Sequence, residues 1–193
     1  MLVLVVGLAL FLGIHSVSIV APRWRLGVVA KLGRGPWMGL YSIASALGLV
    51  VLVVGYGMAR REPVVLYMPP AALRHVALLL MLPAFPLFIA TYFPGRISAL
   101  VKHPMLLSVK LWASAHLLAN GTLADVVLFG AFLAWAVADR ISVKRRSAVE
   151  AHNVPGSPPS SYNDAIAVVA GLVVYAVFVF WAHRLLIGVS PLG

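Results

Sequence analysis

Six apolar stretches separated by short polar segments run along the chain from its first residues to its last. They cover approximately Leu2–Ala21, Gly39–Met58, Leu73–Phe93, Pro104–Asn120, Thr122–Ala138 and Ala165–Ile187. Stretches of this length can cross about 30 Å of hydrocarbon as helices, which rise about 1.5 Å per residue. They lack the alternation of apolar and polar positions that barrel strands show. The pattern therefore predicts an all-α, polytopic transmembrane helical bundle with about six spans.

The whole chain, residues 1–193, is predicted to form a single transmembrane domain. Residues 145–163 contain the Pro/Ser-rich run NVPGSPPSSYN, which predicts a flexible cytoplasmic linker before the last helix. The fourth and fifth stretches are short, and a tight turn at Asn120-Gly121 joins them. The first stretch has no basic residue before it and no clear cleavage site before Pro22, so we interpret it as a retained span.

Basic residues are concentrated in alternate connections, and cytoplasmic loops of membrane proteins collect lysine and arginine. The first, third and fifth connections carry Arg23, Arg25, Lys31, Arg34, Arg96, Lys102, Arg140, Lys144, Arg145 and Arg146. The opposite side carries Arg60, Arg61, Arg74 and Arg184, together with Glu62 and Asp125. This asymmetry predicts that both termini lie on the side of the membrane away from the cytoplasm.

The same basic residues account for a formal net charge of +10. In a soluble protein such a charge would suggest nucleic acid, but no nucleic-acid-binding module accompanies it in this sequence. Anionic headgroups of the lipid bilayer are the simpler partner for basic loops beside spans. We therefore predict no nucleic-acid partner, and the sequence leaves the oligomeric state open.

The chain has no cysteine and six histidines. The absence of cysteine excludes disulfides, thiolate metal sites, thiol catalysis and covalent haem attachment, so any metal chemistry must depend on histidine. His75 and His183 lie near span ends, and His152 lies in the linker, where an imidazole reaches water. His15 and His116 lie inside apolar spans, where an ionisable side chain is costly and indicates a function.

A neutral imidazole inside a helical bundle has two ordinary roles. It can form a hydrogen bond between helices, for which Ser18 and Ser114 are candidate partners, or it can bind haem iron. The residues alone leave both roles open. In the fourth span, His116 shares a helix face with Trp112, whereas His103 lies on the opposite face.

Several separated motifs carry a family resemblance: GIHS in the first span, KHPM and LWASAHLLANG in the fourth, and FLAWAVADRISVKRR in the fifth. Over nearly its whole length the chain resembles the NnrU family of bacterial membrane proteins. That family is named for an association with nitrite and nitric oxide metabolism in denitrifying bacteria. The resemblance implies a multi-pass protein of the bacterial inner membrane, with respiratory or denitrification proteins as partners.

The NnrU family is in turn similar to the 15-cis-zeta-carotene isomerases, membrane enzymes that use haem b. By motif, their two histidine ligands correspond to His15 and His116. The resemblance therefore implies a b-type haem on these residues, with Trp112 in the ligand motif and His103 in a supporting role. The isomerases carry a cysteine three residues before the second histidine, where this chain has Ala113. Ligand exchange through that thiolate is thus excluded, while other redox or isomerase-like chemistry stays a hypothesis.

A haem would place two further requirements on the chain. Its propionates should leave the hydrocarbon and pair with arginine, for which Arg23, Arg25 and Arg140 are candidates on the predicted cytoplasmic side. Its two ligands must also lie at the same depth in the membrane. The predicted topology, however, puts His15 near the cytoplasmic end of its helix and His116 near the outer end of its own helix. A shared haem therefore requires helix tilt or a more deeply set fourth helix.

Two other function classes stay open. The His103-Pro104 pair also resembles integral-membrane methyltransferases that bind S-adenosylmethionine at the cytoplasmic face, although proline suits a helix start for structural reasons. A non-enzymatic assembly factor for respiratory enzymes would need the helices and a partner surface, but no substrate pocket. The sequence contains no Walker-type phosphate loop, no G-x-S-x-G elbow and no H-E-x-x-H zinc motif. It does not decide whether the protein is an enzyme.

Overall fold

The computed structural model describes residues 1–145, 156–158 and 160–193. Regular structure in these ranges is helical apart from one isolated bridge between Val65 and Thr122. The helices are α1 Leu2–Val20, α2 Pro22–Leu32, α3 Arg34–Ala59, α4 Ala71–Ala90, α5 Arg96–Val101, α6 Pro104–Ala119, α7 Leu123–Arg145, α8 Asn163–Val177 and α9 His183–Ile187. A π-helical turn, Phe178–Ala182, makes α8 and α9 continuous.

The helices confirm the predicted all-α, polytopic membrane fold. Four of them (α1, α3, α4 and α7) and the continuous segment Asn163–Ile187 are each long and apolar enough to cross a membrane. Helix α6 is apolar but has 16 residues, or about 24 Å of helix. Each of the six predicted spans therefore coincides with a helix, and the fourth is shorter than the hydrocarbon is thick.

Two short helices, α2 and α5, lie in connections for which the hydrophobic pattern predicted no helix. Helix α2 begins at Pro22, which suits a first helical position because its φ is already fixed and its missing N–H would have no partner there. Helix α5 has six residues and follows Gly95. Neither helix carries a long apolar run, so neither could be recognised from span length.

The described helices form two compact units. Unit 1 contains α1, α2, α3 and α7, and unit 2 contains α4, α5, α6, α8 and α9. Each unit is thus built from helices that are separated in the sequence.

Unit 1 is held together by close packing of α1 against α3. The two helices run antiparallel, because Gly55 of α3 lies against the backbone of Leu4 and Gly48 lies against the backbone of Phe11. A Cβ atom at either glycine would collide with that backbone, and Gly7 of α1 makes a similar contact in the other direction. Glycine at such contacts lets membrane helices approach closely, which replaces the hydrophobic driving force that lipid does not supply.

The start of α7 is attached to the end of α3 within the same unit. Asp125 is 5% exposed and accepts hydrogen bonds from Tyr56 Oη at 2.6 Å and from Thr122 Oγ1 at 2.6 Å. Leu123 N donates to Val64 O at 2.8 Å. A buried carboxylate is tolerated here because donors from two segments satisfy its oxygens.

Unit 2 is centred on α4, which packs against both α6 and α8. Gly171 of α8 lies against the backbone of Pro86 with no room for a Cβ atom. Buried Ser108 of α6 donates to Ala84 O at 2.7 Å. Small residues and backbone-directed hydroxyls therefore join the helices of this unit, as in unit 1.

The predicted linker, 145–163, lies mostly outside the described residues, since 146–155 and 159 are not among them. Asn163, the last residue of that range, and Asp164, which follows it, are hydrogen-bonded to Pro94 and to the start of α5. Asn163 is 3% exposed, and its side-chain amide donates to Pro94 O at 2.8 Å and to Pro158 O at 2.9 Å. The Asp164 carboxylate accepts hydrogen bonds from the backbone N–H groups of Arg96 and Ile97 at 2.9 and 3.0 Å.

Candidate functional site

His15 lies near the C-terminal end of α1, and its ring is half-buried. Its Nδ1 lies 2.6 Å from Phe11 O, one helical turn earlier. A carbonyl oxygen can only accept, so Nδ1 carries the proton. In the neutral ring Nε2 is then the basic nitrogen, and it is the atom that can bind a metal.

Three aromatic rings surround His15, and together with it they form what we term the His15 cluster. The ring centroids of Phe11 and Tyr41 lie 4.3 and 5.4 Å from that of His15. The Trp135 ring is perpendicular to the imidazole at 6.0 Å. Its indole N–H is buried and makes no hydrogen bond within the described residues. The cluster draws on α1, α3 and α7, so it exists only once unit 1 is folded.

His116 has the same local arrangement in the last turn of α6. Its Nδ1 lies 2.8 Å from Trp112 O, again one helical turn earlier, and the Trp112 ring is 5.3 Å away. The same reasoning assigns the proton to Nδ1 and leaves Nε2 as the basic nitrogen. Asn120 donates to His116 O at 2.9 Å and so caps this end of the helix.

A second histidine lies beside His116 in unit 2. The rings of His116 and His183 have centroids 6.3 Å apart and planes inclined by 26°. The Nδ1 atom of His183 lies 2.7 Å from Val189 O, which assigns its proton in the same way. We call these two residues the histidine pair.

The structure assigns the other predicted site residues to one unit or the other. Arg23 of α2 is exposed, Arg140 of α7 is half-buried, and both belong to unit 1. His103 immediately precedes α6 and is half-buried in unit 2. Arg25 is the one arginine buried among the described residues, with 8% exposure. Of the three candidates for a propionate partner, Arg25 is therefore the one that is already withdrawn from solvent.

Trp112 and His116 are in contact as the helix periodicity predicted, but other members of the two sites were missed. His183 was set aside because it lies near a span end, and Tyr41 and Trp135 carried no motif of their own. Their importance depends on contacts between helices, which no sequence spacing reports. Among the described residues, no group of three or more His, Asp or Glu side chains could hold a metal. A metal centre built from the described residues would therefore have one or two imidazole ligands.

Comparison with protein families matches residues 3–191 to the family described as NnrU protein. The chain belongs to the NnrU family. The match spans helices of both units, so the histidines of this NnrU protein lie within the family region. No curated protein and no solved structure matches the chain significantly, and the similarity to the 15-cis-zeta-carotene isomerases stays a prediction.

Proposed function

We propose that this NnrU-family membrane protein binds b-type haem through His15 and His116. The observation that carries the proposal is shared by both residues. Each imidazole donates through Nδ1 to the carbonyl one helical turn earlier, at 2.6 Å for His15 and 2.8 Å for His116. Neutral imidazole with a fixed tautomer is the usual protein ligand of haem iron, and a carbonyl at the other nitrogen orients it.

The surroundings of the two residues suit an apolar cofactor. Both imidazoles are half-buried, and their own helices, α1 and α6, contain no acidic residue. Trp135 and Trp112 supply large aromatic surfaces beside His15 and His116, respectively. Such rings exclude water from the metal-binding nitrogen and pack against flat apolar groups. The candidate arginines of α2 and α7, among them buried Arg25 and half-buried Arg140, would hold the propionates.

A bound haem would supply electron transfer or ligand binding at iron. The residues of the chain would orient the imidazoles, exclude water and anchor the carboxylates. Family membership supports a role in nitrite and nitric oxide metabolism, with respiratory or denitrification proteins as partners. Because Ala113 replaces a thiolate ligand, the proposed chemistry is redox or isomerase-like without cysteine exchange.

The first test is an optical spectrum of the purified protein, reconstituted with haem, in oxidised and reduced states. Sharp reduced-state bands are expected for wild type and for the control His75→Ala, since His75 is exposed. Both His15→Ala and His116→Ala should lose the low-spin spectrum. A wild-type protein that binds no haem, or variants with unchanged spectra, would overturn the proposal.

We also propose that the protein lies in the bacterial inner membrane with both termini in the periplasm. The support is the concentration of lysine and arginine in alternate connections. Reporter fusions at the two termini and at the connection between α4 and α6 test this orientation. Termini that report a cytoplasmic location would reverse the proposed topology without affecting the helix assignments.

A further inference from the structure

We propose that the histidine pair, His116 and His183, binds one divalent transition-metal ion in the haem-free protein. Both residues belong to unit 2, where α6 and α8 both pack on α4 and α9 continues the segment that begins with α8. Their ring centroids are 6.3 Å apart. Imidazole is a good ligand for Zn²⁺, Cu²⁺, Ni²⁺ and iron, so two neighbouring imidazoles form a recognisable donor set.

The separation of the rings agrees with a shared ion. Two imidazoles bound to one metal at about 2.0–2.1 Å have ring centroids roughly 5–6.3 Å apart, depending on the angle at the metal. The observed 6.3 Å lies at the upper end of that interval, which corresponds to a nearly linear angle at the metal. For the tetrahedral angle that zinc prefers, the rings would have to approach each other by about 1 Å.

The hydrogen bonds at Nδ1 favour metal binding through Nε2 at both residues. Trp112 O accepts from His116, and Val189 O accepts from His183, at 2.8 and 2.7 Å. Metal-ligating histidines almost always donate their other ring N–H to a carbonyl or carboxylate, which sets the tautomer and orientation. Here both members of one pair have this second contact.

The backbone on both sides of His183 departs from regular α-helix and brings Val189 O to the His183 ring. The π-helical turn Phe178–Ala182 ends immediately before His183, and such turns are rare and occur frequently at functional sites. After α9, Gly188 adopts φ 82°, a left-handed conformation that favours glycine. The reversal brings Val189 O back to the His183 ring. The two irregularities thus lie on either side of the proposed ligand and position it.

With two ligands from the described residues, the remaining coordination positions would be filled by water or by another molecule. Such a site is open in the sense of a catalytic or exchangeable metal site rather than a closed structural one. Since one nitrogen of His116 cannot bind two metals, a divalent ion on the histidine pair would compete with haem for that residue. This competition rests on the proposed function, whereas binding of the ion does not.

The test is a Zn²⁺ titration of haem-free protein, with any affinity tag removed, against a chromophoric chelator. We expect one Zn²⁺ per chain in wild type, and affinities lowered more than the roughly tenfold that loss of an outer-shell partner costs in His116→Ala and His183→Gln. The matched control is His75→Ala in unit 2, which should bind as wild type does. Binding that survives in His183→Gln, or that is equally lost in the control, would overturn the proposal.

X-ray absorption at the zinc edge of the wild-type protein supplies a measurement that needs no variant. Two imidazole nitrogens at about 2.0–2.1 Å are expected, and a spectrum with fewer than two would contradict the site. A haem titration of the Zn²⁺-loaded protein then tests competition. Slower or weaker haem uptake is expected in wild type, and the effect should disappear in His183→Gln. If haem never binds, the proposed function fails while the zinc result stands.

Discussion

The His15 cluster and the histidine pair have the same sequence signature but different surroundings. Each contains a histidine near the end of an apolar helix whose Nδ1 donates to the carbonyl one turn earlier. Around His15, unit 1 places three aromatic rings, whereas around His116 unit 2 places a tryptophan and a second imidazole. A polar residue within a span therefore predicts that a site exists, and the neighbouring helices decide how many ligands it has.

The difference also separates what each unit can do alone. Unit 1 offers one oriented imidazole in an apolar, aromatic environment. Unit 2 offers two, both with carbonyl partners that set their tautomers. A variant that disturbs unit 1 should thus leave Zn²⁺ binding by the histidine pair intact, whereas haem binding, which requires both His15 and His116, should be lost when either unit is disturbed.

The largest effects are expected from glycines at helix contacts. Gly55→Leu should destabilise unit 1 and Gly171→Leu should destabilise unit 2, each by about 3 kcal/mol, the upper end of the usual cost of overpacking, because the new side chain meets backbone. Unfolding in mixed detergent measures the loss. Gly57→Leu is the matched control on α3, since nothing lies within 4 Å of its Cβ position.

The two glycine variants should also separate the two sites. Gly171→Leu should abolish Zn²⁺ binding by the histidine pair, while Gly55→Leu should leave it intact. The fluorescence of Trp135 beside His15 should change in Gly55→Leu and stay as in wild type in Gly171→Leu. If Gly55→Leu abolished Zn²⁺ binding and Gly171→Leu did not, the assignment of the pair to unit 2 would be wrong.

Intermediate effects are expected where a buried polar side chain joins two segments. Asp125→Ala removes the acceptor for Tyr56 and Thr122, and Asn163→Ala leaves Pro94 O and Pro158 O without that donor. Each should cost about 1–3 kcal/mol, because the abandoned partners are withdrawn from water. Thermal unfolding in detergent compares the two. Equal stability of either variant and wild type would mean that water replaces the lost bond.

Two tyrosine hydroxyls, one in each unit, should have unequal effects: the effect of Tyr56→Phe lies in the same range, and that of Tyr175→Phe is the smallest. Tyr56→Phe removes a 2.6 Å hydrogen bond to a carboxylate, and Tyr175→Phe removes a 3.2 Å bond to Leu78 O. Bonds to charged groups contribute about 1.5–3 kcal/mol and neutral ones about 0.5–1.5 kcal/mol. Tyr56→Phe should therefore lower the unfolding temperature more than Tyr175→Phe does. The opposite order would show that the Asp125 carboxylate is satisfied without Tyr56.

The helices themselves could be predicted almost completely from sequence. A stretch such as 2–20 must satisfy its backbone hydrogen bonds internally in lipid, so its apolar length alone indicates a helix. The short helices α2 and α5 escaped prediction because they lie in polar connections. The π-helical turn before His183 lies within a continuous apolar run, so the hydrophobic pattern does not distinguish it from α-helix. The sequence alone therefore indicated neither that turn nor the direction of the imidazole beside it.

The candidate sites could be predicted only in part, for a related reason. His15 and His116 were identified because imidazole is costly in an apolar span, which is a property of each residue and its immediate neighbours. Tyr41, Trp135 and His183 became members of a site through packing between helices that are distant in the sequence. That packing depends on glycines that admit a facing backbone and on the register they impose. The sequence by itself determined that the chain lies in a membrane, where its helices run, and that two histidines are candidate site residues. The tertiary structure alone decided which side chains surround those histidines.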